Sequence, residues 1–206
     1  MANVTQHKAI ELELRAEILP KDREALVKRL DKAGVFHSDT KRMSVMCFGV
    51  IVGKKTDVRI RVTNGECEVV LKQGTSFGGH DRVEVSQEIS ADQFVGMVKI
   101  FARFGFKIKV GERETVNYTF PGDVMVSLAS GGNISYIELE KMSSKNDLEE
   151  NKAELHQLAD QLKINLLKSE EEYLAICRRL DKIDWRFHGV EEDYTRLTAQ
   201  LYRQLR

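Results

Sequence analysis

Strand-length stretches in which charged and apolar residues alternate one for one recur through the first two thirds of this chain. In "IELELRAEI" the charged Glu11, Glu13 and Arg15 interleave with Ile10, Leu12 and Leu14. A period of two is that of a β-strand, so the stretch carries one apolar face and one charged face. "VRIRV" puts Arg59 and Arg61 on one face, "VVLKQ" carries Lys72 and "RVEV" pairs Arg82 with Glu84. "KIKVGER" carries Lys107, Lys109 and Arg113, and "YIELEK" brings Glu138 and Glu140. On a single strand such a face is an ordinary solvated surface, whose ion pairs add little stability. Eight or so such strands closing into a barrel would instead line its interior with arginine, lysine and glutamate. That lining cannot pack as a core and must surround something polar.

Between these stretches lie helix and turn signals. "KDREALVKRLDKAG", after Pro20 and stopped by Gly34, predicts a helix, as does "ADQFVGMVKIFARFG", opened by Ser90 as N-cap and ended by Gly105. "NGE" supplies a hairpin turn. "RMSVMCFGV" reads as a strand, "FKIKVGERE" and "TVNYTFPG" as two separate strands, and "VMVSLAS" as another, for about nine in all. From Ser144 the pattern turns helical, in "KNDLEENKAELHQLADQLKI", "SEEEYLAICRRL" and a last segment from Asp181. There Ile183, Phe187, Val190, Tyr194, Leu197 and Leu201 fall four then three residues apart, the spacing of a helix-packing seam. The seam needs a partner. Folding back on the body is the expected one, and a homodimer through the last helix is the alternative.

Composition narrows the function. Lys plus Arg and Asp plus Glu both number 32, so bulk attraction to nucleic acid or an anionic membrane is not expected and any charge-driven function is local. The three cysteines, Cys47, Cys67 and Cys177, have neither disulfide-framework nor zinc-site spacing and read as reduced, buried thiols. No signal core or membrane-spanning run is evident, so a soluble cytoplasmic protein is expected. The five histidines form no recognisable cluster. Basic residues in several rows suit a multiply charged anion, and separated carboxylate pairs suit a divalent cation; together they suit a metal-bound polyphosphate.

These motifs, in this order, resemble the CYTH superfamily, the triphosphate tunnel metalloenzymes. "ELELR" is similar to the family's E-x-E-x-K signature, "VRIRV" to its R-x-R strand and "VVLKQG" to its lysine strand. "DRVEV", "GERET" and "YIELE" are similar to its later strands, and "SEEEYLAI" to its terminal Ser-x-x-x-Tyr helix. The resemblance implies an α+β fold: an eight-stranded antiparallel β-barrel tunnel with flanking helices over residues 1–180, leaving 181–206 as a C-terminal helical extension. It implies binding of a triphosphate-containing small molecule with Mg²⁺ or Mn²⁺, and hydrolysis of inorganic, thiamine or nucleoside triphosphate. A non-catalytic polyphosphate binder and a class IV adenylyl cyclase are the alternatives. Carried over by position, Glu11, Glu13, Glu84, Glu138 and Glu140 would bind metal, and Arg59, Arg61, Lys72, Arg82, Lys109 and Arg113 the triphosphate. Arg15 would take the catalytic position, where the signature has lysine. Two further positions depart from the family's pattern. Ser127 to Ser130 offer no aspartate before the closing strand, and Gly111 stands where a lysine often precedes the later arginine. "KQGTSFGGHDR", rich in glycine, is expected near the tunnel mouth.

Overall fold

The computed structural model describes residues 10–73 and 83–206, without the side chains of Val83 and Glu84. Arg82, His7, His80 and most of the "KQGTSFGGHDR" stretch lie outside the described residues. The strands are β1 (Ile10–Ile18), β2 (Val35–Ile51), β3 (Lys54–Thr63), β4 (Glu66–Gln73), β5 (Val83–Ile89), β6 (Lys107–Phe120), β7 (Val124–Gly131), β8 (Ile134–Ser143) and β9 (Trp185–Phe187). The helices are α1 (Pro20–Ala33), α2 (Ala91–Arg103), α3 (Leu148–Gln161), α4 (Glu170–Leu180) and α5 (Glu191–Gln204). In space eight strands follow one antiparallel path, β1-β8-β7-β6-β2-β3-β4-β5, and β9 pairs with the first part of β6.

Local signals act where the sequence places them. The Asn64–Gly65 turn takes positive φ at both residues, as a tight hairpin requires. The Gln93 side chain accepts from the Ser90 backbone N–H at 3.0 Å and holds the start of α2, while Gly105 ends that helix with φ +76°. Gly34 is needed for a different reason. Its φ is ordinary, but a Cβ there would lie 2.7 Å from the Phe120 ring.

Two expectations are corrected. "FKIKVGERE" and "TVNYTFPG" are one continuous strand, β6, because the ladder to β2 runs through Glu114 and Thr115 without a break. The ninth strand is instead β9, inside the segment read as helix from Asp181: extended pairing at Val110↔Trp185 and Ile108↔Phe187 uses an edge of β6 that β7 does not reach. Helix resumes only at Glu191. Its seam folds back on the body, with Phe187, Leu197 and Leu201 buried in the same core as Phe94 and Val98 of α2.

The helices pack on the apolar faces, leaving the charged faces inward. Leu12, Ala16, Val126, Leu128, Ile137 and Leu139 face α1 and α3, whereas Met43, Val45, Val58 and Ile60 face α2 and α5. In a flat sheet β8 and β4 would stand five strand spacings apart, roughly 24 Å. Yet the Lys72 ammonium on β4 lowers the pKa of Glu140 on β8, and Arg59 on β3 does the same to Glu138. The sheet therefore rolls until its charged faces oppose one another, giving the α+β tunnel. Among the described residues no ladder joins β1 to β5.

Candidate functional site

The antiparallel register of β1 with β8 sets Glu13 opposite Glu140 and Arg15 opposite Glu138, all on the inner face. Glu13, Glu138 and Glu140 each offer a carboxylate oxygen within 4.8 Å of the others. Burial, then the neighbouring Glu138 charge, pushes Glu13 up to about 9, and a hydrogen bond with Glu138 adds to the rise. Burial and the charges of Glu138 and Glu11 push Glu140 up to about 7. Burial is the largest influence on Glu138 and would raise it, but the Arg15 guanidinium, hydrogen bonds with Glu13 and Arg15 and the charge of Arg59 together outweigh it and hold Glu138 below the usual carboxylate range. Three crowded carboxylates that are costly to ionise together are the donor set a hard divalent cation stabilises, so these residues fit one. Glu11 is exposed at the rim, outside that cluster, though its charge reaches Glu140. Only the backbone of Glu84 is described, opposite Lys72.

Arg15 is committed to this cluster. Its Nε donates to Glu138 Oε1 at 2.9 Å, it pairs with Glu13, and its guanidinium lies 4.7 Å from the centre of the Tyr173 ring. Most of the expected phosphate-binding cations also have a carboxylate partner from their own chain. Arg59 pairs with Asp57 at 2.8 Å, Arg61 with Glu68 at 2.7 Å, and Lys109 with Asp181. Arg113 makes a two-armed contact with Asp184, 2.8 Å from Nη1 to Oδ1 and 2.9 Å from Nη2 to Oδ2.

Several residues of the site were not among those expected. Arg42, on the inner face of β2, lies in register with Arg113 and donates from Nε to Thr63 Oγ1 at 2.9 Å. Its pKa is lowered, first by burial and then by the charge of Arg61, so it lies in a crowd of cations. Period-two alternation through Arg42, Ser44 and Met46 was its only sequence signal. Tyr136 is in phase with Glu138 and Glu140 on β8 and touches the Arg113 side chain. Asp57 lies just before the R-x-R pair and leaves its Oδ1 buried without a hydrogen-bond partner among the described residues.

Helix α4 crosses one end of the tunnel. Tyr173 covers Arg15, Arg179 pairs with Glu17 at 2.5 Å, and Ile176 and Leu180 pack against Ile134 and Tyr136. The chain then passes Gly132, whose added Cβ would meet Ile183 at 3.0 Å, and delivers Asp184 to β6.

No protein-family model matches the chain, and no curated protein matches it by sequence. Solved structures do match. HpAC1 of Hippeastrum, whose description as an adenylyl cyclase candidate reports a dominant triphosphatase activity, superposes with a TM-score of 0.59. It is 19% identical, with 83% of this chain and 95% of that one covered. A protein of Vibrio parahaemolyticus described as an adenylate cyclase candidate gives a TM-score of 0.60 at 16% identity, covering 81% of this chain and 98% of its own. The fold is that of the CYTH proteins. A chain of the Schizosaccharomyces pombe Mediator head module is also similar, with a TM-score of 0.53, 12% identity and coverages of 76% and 96%.

Each departure from the CYTH pattern has a local structural setting. Gly111 faces Asp184, and a Cβ there would lie 2.4 Å from its Oδ1, so lysine cannot stand at that position while Asp184 is in place. Ser127, on the inner face where an acidic residue was expected, donates to Asn117 Oδ1 at 2.8 Å, and Asn117 donates in turn to Ser38 Oγ at 3.1 Å. That rung of the wall is a neutral hydrogen-bonded row. Asp123 occupies the β6–β7 turn with φ +59°. Among the described residues no helix is long and apolar enough to cross a membrane.

Proposed function

We propose that this chain is a divalent-metal-dependent triphosphatase acting on a small molecule that carries a triphosphate end. The observation that carries this reading is the opposition, across one tunnel, of the Glu13, Glu138 and Glu140 cluster and the cations Arg59 and Lys72. The three glutamates would hold Mg²⁺ or Mn²⁺, which when bound offsets negative charge on the phosphate oxygens. Arg42, Arg59, Arg61 and Lys72 bind those oxygens by charge-assisted hydrogen bonds and stabilise the charge that develops as the anhydride bond breaks. Water is the nucleophile, and catalysis is positioning and electrostatics. Arg15 orients Glu13 and Glu138 and stays protonated throughout, so it holds charge but passes no proton.

The test is phosphate release from inorganic triphosphate, thiamine triphosphate and ATP, with Mg²⁺, Mn²⁺ or chelator. Release that needs the metal and is lost in Glu138→Gln supports the reading. A second reading, a polyphosphate binder without turnover, is favoured by the guanidinium clamped between two carboxylates where the family signature has lysine. Triphosphate binding by calorimetry without release, in the wild type and in Arg15→Lys alike, would replace the first reading by the second.

A further inference from the structure

The C-terminal segment places a carboxylate on cations that the resemblance assigns to substrate. Asp184 is essentially buried, its side chain only 1% exposed, and grips the Arg113 guanidinium with both oxygens. It also lies 3.7 Å from the Lys109 ammonium, which Asp181 neutralises further. The planar carboxylate on a planar guanidinium has the geometry with which arginine takes a phosphate edge. Gly111 makes the room, because any side chain there would collide with Asp184. The arrangement is held firmly: β9, the next residues in the chain, pairs with β6, and Phe187, Leu197 and Leu201 anchor the segment in the core. It lies at the end of the tunnel that α4 crosses, beside Tyr136, one inner-face step along β8 from Glu138 and two from Glu140.

We infer that Asp184 determines substrate specificity by acting as a fixed internal anion at the closed end of the tunnel, limiting how many phosphates the cation row accepts. This rests on the triphosphate reading and adds to it a length limit. Arg59 and Arg61 also have carboxylate partners, but Asp57 and Glu68 each contact them through one oxygen and are 17% and 25% exposed, so they yield to an incoming phosphate. Asp184, buried and gripping with both oxygens, does not, so the anion is held by Arg42, Arg59, Arg61 and Lys72 while Arg113 stays neutralised. Removing the charge of Asp184 frees Arg113 for one further phosphate group.

The experiment is calorimetric titration of the full chain with inorganic diphosphate, triphosphate and tetraphosphate in Mg²⁺, comparing wild type, Asp184→Asn and Asp181→Asn. For the wild type, affinity is expected to rise from diphosphate to triphosphate and then level off. Asp184→Asn is expected to bind tetraphosphate about tenfold more tightly while diphosphate is unchanged, as one added charge-assisted contact predicts. Asp181→Asn, at a half-exposed side chain, frees Lys109 in part and is expected to give a smaller gain of the same length dependence. A folded Asp184→Asn whose affinity is unchanged, or changed equally for all three anions, would overturn the inference and leave Asp184 as a structural staple. If that variant does not fold, Asp181→Asn decides by the same criterion. Failure of the underlying reading looks different, since then neither wild type nor variants would bind any of the three anions.

Discussion

The acidic cluster makes a quantitative claim about protons. In the protein without metal, burial and crowding push Glu13 up to about 9 and Glu140 up to about 7, so both resist ionisation. A divalent cation needs all three as carboxylates, so binding must expel whatever protons remain. From those two values, occupation of the cluster releases about 1.5 protons at pH 7, about 1 at pH 8 and about 0.5 at pH 9. The apparent affinity for Mn²⁺ should correspondingly tighten about 15-fold between pH 7 and pH 8. Calorimetry in two buffers of different ionisation enthalpy measures the proton count directly, and Glu13→Gln should remove most of the release at pH 8. The same linkage sets the sign for stability. Both folded-state values lie above those of an unfolded glutamate, so their contribution is greatest at acid pH and is lost as pH rises through about 7 and then about 9. Added Mn²⁺ should therefore raise the melting temperature more at pH 8 than at pH 6. Binding at pH 7 with no proton release, or an affinity flat from pH 6 to pH 9, would refute the assignment of these three glutamates as the ligand set.

Other expectations follow from packing and charge. Arg15→Lys should raise metal-dependent phosphate release, because an ammonium makes fewer contacts than the guanidinium now holding Glu13 and Glu138; a fall in rate would mean that the guanidinium itself serves catalysis. Leu197→Ala should cost about 2–5 kcal/mol in denaturant unfolding, since Leu197 is fully buried against α2 and the sheet; a loss under about 0.5 kcal/mol would show α5 to be a detachable appendage. Gly111→Ala should destabilise the fold by about 1–3 kcal/mol through its clash with Asp184, and a double-mutant cycle with Asp184→Ala should recover part of that loss.

Whether a residue of this tunnel could be read from the sequence depends on how far its signal travels along the chain. Glu13, Glu138 and Glu140 repeat at period two beside apolar neighbours, so strand, face and charge were legible together, and the antiparallel register brings the two strands to one point. Glu11 follows the same pattern yet lies at the rim, because periodicity gives the face of a strand and says nothing of depth along the tunnel. The continuous β6 was split in reading between Glu114 and Thr115, where the ladder to β2 does not break, and Gly111, earlier on that strand, was noted only for the lysine it lacks. What it marks is a close approach from a residue 73 positions later in the chain, Asp184. Asp184 belongs to no period and precedes a three-residue strand, so nothing local distinguishes it from a solvated aspartate. The missing side chain at 111 was the only sequence trace of that contact, and it became interpretable once the fold showed which carboxylate fills the space. Arg113, read as substrate-binding, faces the tunnel, but this chain supplies an anion for it from a residue that no local pattern marks.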